Sequence, residues 1–172
     1  MSRKPAHFLA YLVLHWGGAA CAMWFAPLHW ESPGLSVSLL LGPVVGVALF
    51  LALERSPRLR LGQIRELSGE ALTYRSLFML LNSIAEEVVW RGVLLEALQV
   101  YLPGLLAAVA TAILFGVYHW PHTEGRGAAM HALTGLVFCA TYQTTGTLVH
   151  SVLAHITYNL FLVGRTSKPR SA

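Results

Sequence analysis

Two adjacent glutamates, Glu86 and Glu87, stand in the middle of an apolar run, with Arg91 four residues after the second. Residues four apart share a helix face, so Glu87 and Arg91 are placed to pair. Glu86 then points about 100° away from that pair. Asn82 lies one turn before it, on its own side of the helix. Further on, His119 closes the segment Phe115-Gly-Val-Tyr-His119, and His155 and Asn159 stand four apart in another apolar run. A carboxylate held away from water is suited to act as a general base. A histidine and an amide on one face can donate two hydrogen bonds to a single oxygen, as an oxyanion hole requires. One carboxylate and two imidazoles, Glu86, His119 and His155, are also an acceptable ligand set for a catalytic zinc. A blander reading makes Glu86, Glu87 and Arg91 one structural charge network.

The setting makes the blander reading costly. Of the 172 residues, 55% are hydrophobic and only 12% charged, against roughly 25% charged in an ordinary soluble domain. A soluble globule and a disordered chain are both excluded. The class expected is all-α: a polytopic integral membrane bundle of about six transmembrane helices, forming a single domain over 1–172. The chain has no Asp, so aspartate-based mechanisms are excluded, intramembrane aspartyl proteases among them. Cys21 and Cys139 lie inside apolar runs and read as buried small hydrophobes. With no CxxC, neither a redox site nor a zinc ribbon is suggested. The net charge of +4 does not imply nucleic acid, because Lys and Arg fall between apolar segments and not on one face among aromatics.

A spanning helix needs about 20 mostly apolar residues. The runs are Ala6–Leu28, Leu35–Leu53, Leu72–Leu102, Leu105–Trp120, Ala128–Tyr142 and Thr147–Val163. Pro103-Gly104 breaks the third and Pro121 closes the fourth. A Thr-Thr-Gly turn at 144–146 leads into the sixth. The polar stretch 54–70 reads as a loop or interfacial helix. The first run is too long for the core of a signal peptide and contains His15, Trp16 and Trp24. With six spans, Arg3, Lys4, the arginines of 54–75, Arg126, Arg165, Lys168 and Arg170 all fall on one side. The connections near 29–34, 101–104 and 143–146 contain neither Lys nor Arg. The positive-inside rule then places both termini in the cytoplasm.

Arg91 alone among the cations reaches no loop. Glu86 lies eleven residues beyond Arg75, roughly 15 Å along a helix and near mid-bilayer. A charge there costs at least about 2.5–3.5 kcal/mol on insertion scales, which points to function. Asn82, Phe115 and His131 are candidates to line the cavity around these groups. His150 is nearer the outer end of its run, and His7, His15, His29 and His122 read as terminal or interfacial.

Glu86-Glu87-Val-Val-Trp-Arg91 matches EExxxR, Phe115 to His119 matches FxxxH, and His155 to Asn159 matches HxxxN. In this order, on successive apolar segments, they resemble the CPBP family of CAAX proteases and bacteriocin-processing enzymes, also called the abortive-infection family. The motif-bearing core is 72–163. The resemblance implies a glutamic-type intramembrane endopeptidase. In that reading Glu86 and His119 activate water, His155 and Asn159 stabilise the oxyanion, and Glu87 and Arg91 hold the site. It implies no metal or other cofactor, with zinc on Glu86, His119 and His155 as the alternative. The partners implied are the lipid bilayer and a membrane-anchored protein or peptide substrate, cleaved in or near its membrane segment or C-terminal tail. No nucleic acid is implied, and the oligomeric state is left open. The location implied is a bacterial inner membrane, and a small enzyme of this style favours bacteriocin processing or removal of sorting tails (the myxosortase group) over prenylated substrates. The rival class is a transporter or proton relay using the same Glu and His groups. Such a protein usually shows a repeated half, and none is visible. A catalytically inert scaffold of the same family is a third reading.

Overall fold

A computed structural model describes residues 16–21, 37–54, 63–64 and 67–163, apart from the side chains of residues 37, 38, 122 and 124. Among these residues the regular structure is all helical, with no strand. The run Ala6–Leu28 lies outside the described residues except for a helical stretch at 16–21, and most of 54–70 lies outside them too. A 3₁₀ turn, Val37–Leu40, leads into α1 (Leu41–Leu53). Helix α2 (Gly69–Glu87) starts at Ser68, whose side chain accepts a hydrogen bond from the Ala71 N–H, with Glu70 in the first turn. Both features favour a helix N-terminus. The helix then widens into a π-helical segment, Val88–Leu95, and closes with one α-turn, Glu96–Gln99. Helix α3 (Gly104–Thr145) follows Pro103. The break expected at Pro103-Gly104 is therefore present.

Helix α3 departs from the expectation at Pro121. Helical backbone runs through the proline for 42 residues, where two separate helices were expected. A straight helix of that length would separate its ends by about 60 Å. Here they are neighbours: the Gln143 side-chain amide donates to the Gly104 carbonyl at 2.9 Å, and the His119 and His131 rings lie 3.9 Å apart. The chain therefore turns back on itself near Pro121. A proline lacks the N–H for the i−4 bond and crowds that carbonyl, so it bends a helix even where helical dihedrals resume beyond it. The arms touch closely at Gly116, where a Cβ would come within 2.7 Å of the Ala128 carbonyl oxygen. The outgoing and returning arms correspond to the fourth and fifth apolar runs.

Gly146 ends α3 with φ of 69°, a left-handed conformation suited to glycine. Thr147 then caps α4 (Leu148–Leu162). Helix α4 is the hub and packs against α1, α2 and α3. Its contact with α1 rests on Gly42 and Gly46, a GxxxG spacing. A Cβ at Gly42 would lie 2.6 Å from the His150 carbonyl oxygen, and one at Gly46 2.5 Å from that of Ala154. Small residues at this spacing let two backbones approach closely in a membrane, where apolar burial between helices gives little drive.

Among the described residues one window, Gly104–Pro121, is long and apolar enough to cross a membrane, and α1 and α4 are shorter apolar helices. The outgoing arm of α3 exposes Leu105, Leu106, Ile113 and Val117, as a lipid-facing surface does. Cys139 is buried as expected, but Cys21 is exposed. An apolar side chain facing lipid needs no protein cover, so an apolar run does not by itself imply burial against protein.

Candidate active site

Helix α2 and the π-helical segment that continues it present two polar rows, each at four-residue spacing. Asn82 and Glu86 form one, and Ser83, Glu87 and Arg91 the other. In the first row the Asn82 amide donates to Glu86 Oε1 at 2.6 Å. In the second, Arg91 Nη1 donates to Glu87 Oε1 at 2.9 Å, with both side chains fully buried. Arg91 Nη2 donates at 2.9 Å to the carbonyl of Gly135 on the returning arm of α3. The guanidinium also lies against the faces of Phe115 and Phe138, 4.9 and 5.4 Å from their centroids. Arg91 thus pairs its charge within its own helical element and ties that element to α3 through a hydrogen bond and cation–π contact. The π-helical segment holding it follows the two glutamates directly, and such segments recur at functional sites.

Helices α3 and α4 bring two imidazoles to Glu86. His119 Nε2 is 3.6 Å from Glu86 Oε1, and His155 Nε2 is 3.6 Å from Glu86 Oε2. These separations exceed a direct hydrogen bond, and Glu86, His119 and His155 are all buried. The far nitrogens show where one proton sits on each ring. His119 Nδ1 lies 2.8 Å from the Phe115 carbonyl oxygen. A carbonyl only accepts, so Nδ1 carries a hydrogen, and in the neutral form of the ring Nε2 turns a lone pair toward Glu86. His155 Nδ1 lies 2.8 Å from Glu87 Oε1 and likewise donates to that carboxylate. The sequence reading gave Glu87 only a holding role beside Arg91; its contact with His155 adds a direct link to the site.

The other predicted residues fall around this centre. Phe115 is buried among the rings of Trp90, His119 and His131. His131, half buried, stacks on His119 with 13° between the rings. His155 stacks on Phe138 at 4.6 Å. The Asn159 amide donates at 2.9 Å to the hydroxyl of Ser83. The sequence reading passed over Ser83, although its place four residues before Glu87 puts it on the face that carries Arg91. His150 is buried, and neither of its ring nitrogens has a hydrogen-bond partner among the described residues. Among the described residues, no group of three or more His, Cys, Asp or Glu is arranged to hold a metal ion.

A family model described as Rce1-like, type II CAAX prenyl endopeptidase, matches residues 69–161, more than half of the chain. The match begins at the first residue of α2 and ends inside α4, so it covers the three helices that build the site. No curated protein and no solved structure matches the chain.

Proposed function

The chain belongs to the Rce1-like type II CAAX prenyl endopeptidases, and on that premise we propose that Glu86 is the water-activating base of an intramembrane protease. Membership makes the protein a hydrolase of peptide bonds in an integral-membrane family, with a membrane-anchored protein or peptide as the general class of substrate. The observation that carries the finer reading is the convergence of Glu86, His119 and His155 from three helices inside a buried site.

The proton positions on the two rings supply the chemistry. The Glu86 carboxylate and neutral His119 Nε2 are both proton acceptors, so a water touching both directs its two hydrogens to them. Its oxygen lone pair then faces the scissile carbonyl carbon. Glu86 removes one proton as the O–C bond forms, and that proton passes to the departing amine nitrogen as the C–N bond breaks. The carbonyl oxygen becomes an oxyanion, received by Asn159 and by His155 Nε2. To donate from Nε2 while Nδ1–H stays on Glu87, the His155 ring must carry both protons, with Glu87 as counter-ion. Glu86, Glu87, Arg91 and protonated His155 then sum to zero charge, as a buried cluster requires. No metal takes part in this mechanism.

Cleavage is tested with two probes in detergent micelles: a farnesylated peptide ending in a CAAX sequence, and an unprenylated peptide with an apolar spanning segment and a short basic tail. Mass spectrometry should find an endoproteolytic product from the unprenylated probe, as processing of bacteriocins or sorting tails requires. Cleavage confined to the farnesylated probe would reassign the substrate class, and cleavage of neither would remove the protease reading from this chain. The proposed topology is six spans in a bacterial inner membrane with both termini cytoplasmic. Reporter fusions at residues 32, 103 and 145 should read as external, and a cytoplasmic reading at 103 would contradict it.

A further inference from the structure

We infer that Ser83 is a positioning residue for catalysis, which sets the orientation of the Asn159 amide. The inference rests on the reading of Asn159 as an oxyanion donor. Ser83 is fully buried on α2, one turn before Glu87. Its hydroxyl donates to the Met79 carbonyl oxygen at 2.7 Å. A hydroxyl has one proton, and here that proton is committed. Toward Asn159, 2.9 Å away across the α2–α4 contact, the Ser83 oxygen can therefore only accept.

The consequence is specific. An asparagine side chain has two nearly isosteric ends, one donating and one accepting, and its neighbours decide which way it lies. Because Ser83 accepts, the NH₂ of Asn159 must face it. One N–H is held by Ser83 and the second stays available to the oxyanion. Flipping the amide would set its carbonyl against Ser83 Oγ, lone pair to lone pair, so the flipped state is disfavoured while the Ser83 proton stays on Met79. Without the hydroxyl both orientations become accessible, and in one of them an acceptor opposes the developing negative charge. Asn159 is borne on α4 and Ser83 on α2, so the same bond also fixes the register of the oxyanion amide against the glutamates.

Three substitutions and a double-variant cycle test this, using whichever peptide probe is cleaved. Ser83→Val and Ser83→Thr have the same shape and differ in the hydroxyl, which threonine can likewise return to the carbonyl four residues back. Ser83→Val should lower kcat by about tenfold to a hundredfold with KM unchanged, less than the 10²–10³ typical of losing an oxyanion donor outright. Ser83→Thr should recover kcat to within about threefold of the parent. In an Asn159→Ala background, Ser83→Val should cost nothing further. Equal rates for the Val and Thr variants, or a full multiplicative loss in the Asn159→Ala background, would overturn the inference. Full activity of Asn159→Ala alone would instead remove Asn159 from the mechanism, which is the failure of the underlying reading. Thermal unfolding supplies a readout independent of turnover. The Ser83→Val and Asn159→Ala shifts in midpoint should be non-additive, and strict additivity would show that the bond does not hold α2 to α4.

Discussion

Replacing Glu86 by Gln is expected to lower cleavage by orders of magnitude while leaving the fold near that of the parent. The amide keeps the shape of the side chain, and its oxygen can still accept the bond from Asn82 that now reaches Glu86 Oε1 at 2.6 Å. It cannot take a proton from water. General-base catalysis contributes typically 10²–10⁴-fold, so turnover should fall by about that factor. The thermal unfolding midpoint in detergent should stay close to the parent's, because the Glu87–Arg91 pair is kept and His155 can give up its Nε2 proton, which leaves the buried cluster neutral. A Glu86→Gln enzyme within about threefold of the parent rate would show that another group activates the water.

Glu87→Gln should fail in a different way, losing stability first. Glu87 is the counter-charge of Arg91 and the acceptor for His155 Nδ1, both through Oε1, with Arg91 and Glu87 fully buried. Removing one partner of a buried pair typically costs about 3–5 kcal/mol, because the remaining charge is stranded without water. Arg91 would retain Gly135 and the Phe115 and Phe138 faces, but these carry no negative charge. His155 would lose the counter-ion that lets Nε2 donate, so whatever protein folds should also turn over slowly. Melting the two glutamine variants side by side separates the roles. Glu87→Gln should unfold well below Glu86→Gln, and identical midpoints would mean that the Glu87–Arg91 pair does not hold the bundle.

What could be read in the sequence follows from helix geometry. The Glu87–Arg91 pairing and the side of Asn82 relative to Glu86 depend only on four-residue spacing within one helix, and both contacts are present. Hydropathy also located the outgoing and returning arms of α3, since apolar length and polar turns leave a direct trace in composition. Contacts between helices left no such trace. That His155 would dock on Glu87, or Asn159 on Ser83, depends on how far α4 is rotated and slid against α2. Helix α4 is seated on its other side by α1, whose Gly42 and Gly46 backbones touch it. The GxxxG spacing was visible, yet the segment carrying it reads as hydropathy alone until its partner is known. Pro121 shows the opposite limit. Local rules end a helix there, while packing at Gly116 keeps both arms helical and side by side.

The central claim is that Glu86 and His119 activate water without a metal. Zinc held by Glu86, His119 and His155 would use the same side chains, so loss of activity on substitution cannot separate the two mechanisms. Metal content and cleavage rate measured on one purified sample, before and after a strong membrane-compatible chelator, can. The account predicts well under one zinc per chain and an unchanged rate after chelation, because the base and the oxyanion donors are all side chains of this protein. A rate lost to the chelator and restored by added zinc would contradict it.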